Sequence, residues 1–186
     1  MSEPGHPESV ATGRSFGERL TGTLRLDSSV YDEIADDATS LGQAAGVVAC
    51  AAAARAIGAA MIGTQGEAVV GAIGVFVFWP VAVALIWGVG SWFGHPSSFA
   101  RILRLVGFAM APLLLVVLIV IPNQWVQTLV SLSSFALLFA TLAVATRQGL
   151  RTDTGRAAFV CLVVAMIFVF VYFVAIYLVA SAGGAA

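Results

Sequence analysis

Five apolar segments, each close to the length of a membrane-spanning helix, constrain the fold of this 186-residue chain more than any other feature. A helix needs about 20 apolar residues to cross the hydrocarbon core of a bilayer. The short breaks between the segments would make neighbouring helices antiparallel. The sequence therefore predicts an all-α fold, a polytopic bundle of five transmembrane helices over 43–63, 68–93, 103–121, 126–146 and 157–181.

The composition supports lipid as the solvent for most of the chain. Hydrophobic residues make up 60% of it and charged residues 10%, whereas soluble domains carry about 25% charged residues. A soluble protein of this size would leave too much apolar surface in contact with water. We therefore expect a multi-pass integral membrane protein.

The residues that commonly carry chemistry are scarce in the spans. Both histidines, His6 and His95, lie outside them, and no span holds Asp or Glu, which argues against proton- or sodium-coupled transport. The absence of lysine excludes a P-loop, and no His or Cys pair has zinc spacing. The net charge of −1 argues against nucleic-acid binding. We predict no enzyme activity, no catalytic residue, no metal and no cofactor.

The N-terminal 42 residues divide into two parts. Residues 1–26 mix Pro, Gly, Ser, Thr and charges without periodicity, which predicts a flexible polar tail. Over 27–42 the chain predicts an amphipathic helix at the membrane interface, best defined over 29–41, with Val30, Ile34 and Leu41 on its apolar face. The alternative is the frayed start of the first span. Residues 182–186 form a short C-terminal tail.

Arginine placement predicts the orientation in the membrane. Basic residues precede the first span and occupy the second and fourth connections, while the other connections and the C-terminal tail have none. By the positive-inside rule the N-terminus is cytosolic and the C-terminus lies outside. The predicted cytosolic basic loops contain Arg101, Arg104, Arg147, Arg151 and Arg156.

The first span has small residues on one face, repeating every four positions. Small faces allow close helix approach in membranes, where no hydrophobic drive exists between helices. We therefore expect this helix to pack inside the bundle or against a partner, either a second copy or another integral membrane protein. The predicted helix-packing face consists of Gly42, Gly46, Cys50, Ala54 and Gly58.

Arg55 is an intramembrane charge near the middle of the first span. Such a residue is a functional hypothesis by default, and a lipid phosphate or an anionic partner group would be its ligand. The alternative is a structural arginine that is satisfied by neighbouring groups or that snorkels to the interface. Pro80 and Pro112 predict kinks in the second and third spans.

The predicted cytosolic face combines opposite charges. The segment through Asp37 holds eight acidic residues against three arginines, a balance of −5. One hypothesis is that the acidic face of helix 29–41 docks on arginines of the basic loops. The alternative is that these arginines meet anionic lipid headgroups. The arginines concerned are Arg101, Arg104, Arg147 and Arg151.

Several short motifs resemble the Yip family, multi-pass proteins named for their interaction with Ypt/Rab GTPases. Leu24-Arg-Leu-Asp27 with Tyr31-Asp-Glu33 and Leu41-Gly-Gln43 resembles the lead-in to the family domain. Phe99–Arg104 with Val106–Pro112 resembles the start of its third span, and Val144–Gln148 with Thr154–Ala157 the loop before its last span. The resemblance covers roughly 24–180.

The resemblance implies a five-span protein that interacts within membranes. In eukaryotes it would imply Rab binding and vesicle traffic. The composition, with no lysine and abundant Ala, Gly and Val, is typical of a prokaryote, so we expect the cytoplasmic (inner) membrane and transfer no Rab function. The first functional hypothesis is a membrane scaffold or interaction protein, for example an accessory subunit of a larger membrane complex. The alternative is a passive or lipid-handling transporter that uses Arg55.

Overall fold

The computed structural model describes residues 13–62, 65–94 and 97–183, with side chains described as far as Phe170. Those residues form seven α-helices and one 3-10 helix, which confirms the all-α class for this part of the chain. The helices are α1 Phe16–Leu24, α2 Ser28–Asp36, α3 Ser40–Ile62, α4 Gln65–Trp92, α5 Phe99–Ala109, the 3-10 helix Ala111–Val120, α6 Gln124–Leu150 and α7 Thr154–Gly183.

Four segments of the described chain are long and apolar enough to cross a membrane. They are Ser40–Met61, Ala68–Trp92, Phe99–Val120 and Gln124–Leu150. The predicted fifth span, 157–181, falls within α7, whose stretch Thr154–Phe170 counts as a shorter apolar helix. The structure therefore supports a multi-pass membrane protein, and the fifth span stays a prediction.

The core of the bundle lies around α5. Ile102, Leu105 and Phe108 are fully buried there, between α3 and α4 on one side and α6 on the other. Gly107 allows a close approach of α3, because a Cβ at this position would lie 2.8 Å from the Cβ of Ala44. The indole nitrogen of Trp79 donates to the carbonyl of Leu103 at 2.9 Å and joins α4 to α5.

The third predicted span is not one continuous α-helix. It begins as α5, turns at Met110 and continues as a ten-residue 3-10 helix with Pro112 in its first turn. Pro112 has no N–H to continue the α-helical pattern, and Leu113 N instead donates to the carbonyl of Met110 at 3.0 Å. The carbonyl of Ala109 accepts a 2.7 Å hydrogen bond from Thr141 of α6. Pro80, by contrast, lies inside α4, which continues past it.

The N-terminal segment contains a helix where the sequence predicts a flexible tail. Ser15 and Glu18 form a capping box, in which each side chain bonds the backbone N–H of the other residue, and this nucleates α1 at Phe16. Asp27 then caps α2 through Ser29 N at 3.0 Å. Residues 1–12 of the predicted tail lie outside the described residues, as do 184–186 at the C-terminus.

The amphipathic helix is shorter than predicted and is covered by protein. α2 ends at Asp36, and Leu41 belongs to α3. Ser40 stops α2 by donating to the carbonyl of Ile34 at 2.9 Å. Val30 and Ile34 face inward, at 2% and 0% exposure, among residues of α3, α5 and α6. The apolar face of α2 is therefore buried against the bundle, and the position of this helix at the membrane interface stays a prediction.

Candidate functional site

The predicted packing face of α3 divides into an open half and a closed half. Gly42, Gly46 and Cys50 are exposed, and a Cβ added at either glycine would meet no atom within 4 Å. Ala54 and Gly58 are buried, and a Cβ at Gly58 would lie 3.3 Å from the carbonyl oxygen of Val116. The first half therefore leaves a small-residue surface outside the bundle, whereas the second half packs on the 3-10 helix.

Arg55 lies on the outer surface of the α3/α4 pair. Its residue is exposed, and its aliphatic stem passes over Gly71 of α4, where a Cβ would lie 3.3 Å from Arg55 Cγ. The position matches an arginine that reaches along the helix surface rather than one that lines an interior passage.

The five arginines predicted in loops gather at one end of the bundle, called the basic side below, but four of them lie on helices. Arg101 and Arg104 belong to α5, Arg147 to α6 and Arg156 to α7, while Arg151 ends α6 in a left-handed conformation with φ 50°. The two connections meet there, because Ser97 Oγ donates to the carbonyl of Gly149 at 2.6 Å.

α1 and α2, residues 16–36, form an N-terminal cap on the basic side. Arg101 makes an ion pair with Asp36, and Arg104 donates to the carbonyl of Ala35 at 2.6 Å. Both acceptors lie at the C-terminal end of α2, where the helix dipole favours cations. Arg147 instead bonds Thr154 Oγ1 at 3.3 Å, so two of the four arginines considered for docking contact α2.

A buried arginine joins the cap to the first span. Arg19 is only 5% exposed, and its guanidinium lies 2.9 Å from Glu33 and 2.7 Å from Asp37. It also donates to the side chain of Gln43 in α3 at 3.1 Å. Arg14 reinforces the cluster through a second 2.9 Å ion pair with Glu33. This cluster, the Arg19 network, connects α1, α2 and α3.

The charged state of the Arg19 network is favoured at neutral pH. Hydrogen bonds from Thr39 and Arg19 lower the pKa of Asp37 to about 2. Burial raises the pKa of Glu33, but hydrogen bonds from Arg19 and Arg14 outweigh it and leave that pKa below its ordinary value. The network is thus a fixed set of opposite charges with no group poised to exchange protons near neutrality.

A fully buried tyrosine packs inside the cap. Tyr31 is 0% exposed and donates its hydroxyl to the carbonyl of Thr23 at 3.1 Å. Burial raises the pKa of Tyr31, so the phenol remains protonated. Tyr31 therefore serves as an anchor between α1 and α2.

Sequence reasoning missed the Arg19 network. The Ser15-x-x-Glu18 spacing is a signal that could have revealed α1. Nothing in the pattern, however, indicates that Arg19 meets Glu33 and Asp37, because these contacts depend on how α1 folds back over α2. The network joins the N-terminal cap to the first span through Arg19.

Comparison with known proteins adds a family assignment. The Yip1 domain matches residues 24–176, which is most of the chain and includes α2 to α6 with much of α7. No match is found among curated proteins or among solved structures. The match begins at the end of α1, so the Arg19 network lies partly ahead of it. By this match over most of its length, the chain belongs to the Yip1 domain family of membrane proteins.

Proposed function

We propose that this chain is a non-enzymatic membrane scaffold or interaction subunit that binds another integral membrane protein, or a second copy of itself, through α3. The observation that carries the proposal is the open half of the packing face. Gly42 and Gly46 have no neighbour within 4 Å of an added Cβ, although the other side of the same helix is well buried. A small-residue face in lipid gains packing and backbone approach when a partner helix covers it.

The alternative proposal, a passive or lipid-handling transporter that uses Arg55, receives less support. Such a protein needs a water- or lipid-filled passage that reaches the charge. Arg55 is exposed on the α3/α4 pair, and its aliphatic stem lies against Gly71 of α4. Its position is better explained by snorkelling.

The open face can be tested without disturbing the fold. Gly46→Leu adds bulk where nothing lies within 4 Å, and Gly88→Leu does the same on an exposed part of α4. We expect purification in native nanodiscs to yield a stoichiometric partner with the wild type and with Gly88→Leu, and to lose it with Gly46→Leu. Cysteine crosslinking through the exposed Cys50 would identify the contacting helix.

Retention of the partner by Gly46→Leu, together with no crosslink from Cys50, would show that α3 does not carry the interaction. A monodisperse monomer from the wild type without any companion protein would overturn the interaction function itself. Loss of the partner from both glycine variants would instead indicate a general effect of bulk in the spans.

A further inference from the structure

A cavity opens on the basic side between the end of α4 and the start of α7. Its volume is about 400 Å³, which is in the range of small-molecule sites. Its wall is mostly apolar, with Phe93 and Phe159 at its flank in an edge-to-face contact at 6.2 Å. Its polar lining comes from Thr152, Gly155 and Arg156. The cavity is therefore amphipathic, with its charge on the side of the loop.

A second cavity lies deeper between α4, α6 and α7. It holds about 160 Å³ and is lined by apolar side chains together with Cys161. The rings of Phe78 and Phe168 approach to 4.5 Å at its wall. An apolar cavity of this kind takes up hydrocarbon rather than water.

The two cavities follow one face of each helix. On α4 the lining residues recur every four positions, and on α7 they cover a broader face that includes a series with the same spacing. From Arg156 to Phe168 the helix rises about 18 Å, close to half of the roughly 30 Å hydrocarbon core. This α4/α7 seam consists of Gly90, Ile86, Ala82 and Phe78 on α4, and Arg156, Val160, Val164 and Phe168 on α7.

The end of the seam at the basic side favours an anion. Residues 147–156 hold three arginines against one aspartate, a balance of +2. The aspartate, Asp153, pairs with Arg156 Nε at 3.2 Å and caps the helix by accepting from Arg156 N. The remaining excess of positive charge comes from Arg147 and Arg151, which lie near the cavity but do not line it. The hydroxyl of Thr152 is buried and has no hydrogen-bond partner among the described residues. Such a group is costly to leave unpaired.

We propose that the α4/α7 seam binds one anionic glycerophospholipid, with its phosphate at Arg156 and Thr152 and one acyl chain along the seam toward Phe168. The occupant must be charged at one end and apolar over the depth of a single leaflet, and a membrane phospholipid has that form. The net positive charge selects anionic over zwitterionic headgroups, as basic pockets between membrane helices do. This site is separate from Arg55 and from the open face of α3, so it does not depend on the proposed scaffold function.

The test uses the full chain in nanodiscs with equal parts dioleoyl-phosphatidylglycerol and dioleoyl-phosphatidylcholine, followed by native mass spectrometry of the retained lipid. Arg156→Gln removes the headgroup charge, and Arg151→Gln makes the same change at an exposed neighbour that does not line the cavity. We expect Arg156→Gln to lower phosphatidylglycerol retention about tenfold, because a charge-assisted contact is lost. Arg151→Gln should lower it by about twofold at most, because its charge lies outside the cavity and is screened by solvent.

The chain-binding part of the seam is tested separately by Ala165→Leu, which fills the deep cavity without changing charge. We expect a loss of about threefold or more, because the acyl chain loses its buried surface. Equal losses from Arg151→Gln and Arg156→Gln would overturn the site in favour of diffuse attraction to the basic side. Unchanged phosphatidylglycerol retention in Ala165→Leu, or full displacement of the lipid by glycerol phosphate, would show that the site binds a simple anion. Either result would refute phospholipid binding.

Discussion

Replacement of Arg19 by Met is the sharpest test of how the N-terminal cap is held. The change keeps a long side chain with similar helix propensity but removes the charge that lies between Glu33 and Asp37. Removing one partner of a buried ion pair costs about 3–5 kcal/mol. Glu33 and Asp37 are each 25% exposed, so water screens part of the unpaired charge. We therefore expect a loss of about 2–3 kcal/mol in the free energy of cap opening.

Hydrogen exchange of the amides of α1 and α2, measured in nanodiscs, reports that opening equilibrium directly. The expected loss corresponds to exchange that is roughly 30- to 150-fold faster. Arg25→Met is the matched control, because Arg25 is exposed at the end of the same helix and should change exchange little. Adding Asp37→Asn to Arg19→Met should produce little further effect, since the ion pair of Asp37 with Arg19 is already lost and the two residues act as one unit. Exchange that is less than threefold faster, or equally fast in both arginine variants, would refute the argument that Arg19 holds the cap.

Two further predictions concern the bundle and the pH dependence of the cap. Gly107→Ala should lower the free energy of unfolding by about 1–3 kcal/mol, since the new methyl group would meet Ala44 at 2.8 Å. Thermal unfolding in detergent measures this loss. The control Gly88→Ala, which places its methyl group in open space, should melt like the wild type. The stabilisation from Asp37, whose folded-state pKa is about 2, is present above its unfolded pKa of about 4 and is lost as the pH falls toward 2. Pepsin cleavage within the cap should therefore rise steeply between these pH values in the wild type. The rise should be smaller in Arg19→Met, which keeps the hydrogen bonds from Thr39 but loses the one from Arg19. A flat wild-type profile would contradict the assignment.

The apolar helices could be predicted from sequence because each helix must meet the conditions for crossing lipid by itself. Each span must hide its own backbone and present apolar side chains whatever its neighbours are, so hydropathy alone places α3, α4 and α6 within a few residues. The same argument fails for the third span. Hydropathy continues through Met110 to Val120, and the change from α-helix to 3-10 helix depends on Pro112 and on Thr141 from a different helix.

The cap could be predicted only in part, because its contacts are tertiary. The spacing of Val30 and Ile34 predicts the apolar face of α2, but the burial of this face against α5 and α6 depends on the fold of the whole chain. Arg19 carried no distinguishing pattern. The small residues of α3 predict a packing face, yet only the structure shows that the half from Gly42 to Cys50 is exposed.

The 3-10 helix also bears on hydrophobic matching with the bilayer. A 3-10 helix rises about 2.0 Å per residue against 1.5 Å for an α-helix, so its ten residues extend about 5 Å further than the same residues would as an α-helix. With the eleven residues of α5, this span reaches roughly 37 Å, compared with a hydrocarbon core of about 30 Å. A thinner membrane would favour tilt or conversion of these ten residues to the shorter α-helix, and the helices that contact them, α3 and α6, would adjust with them.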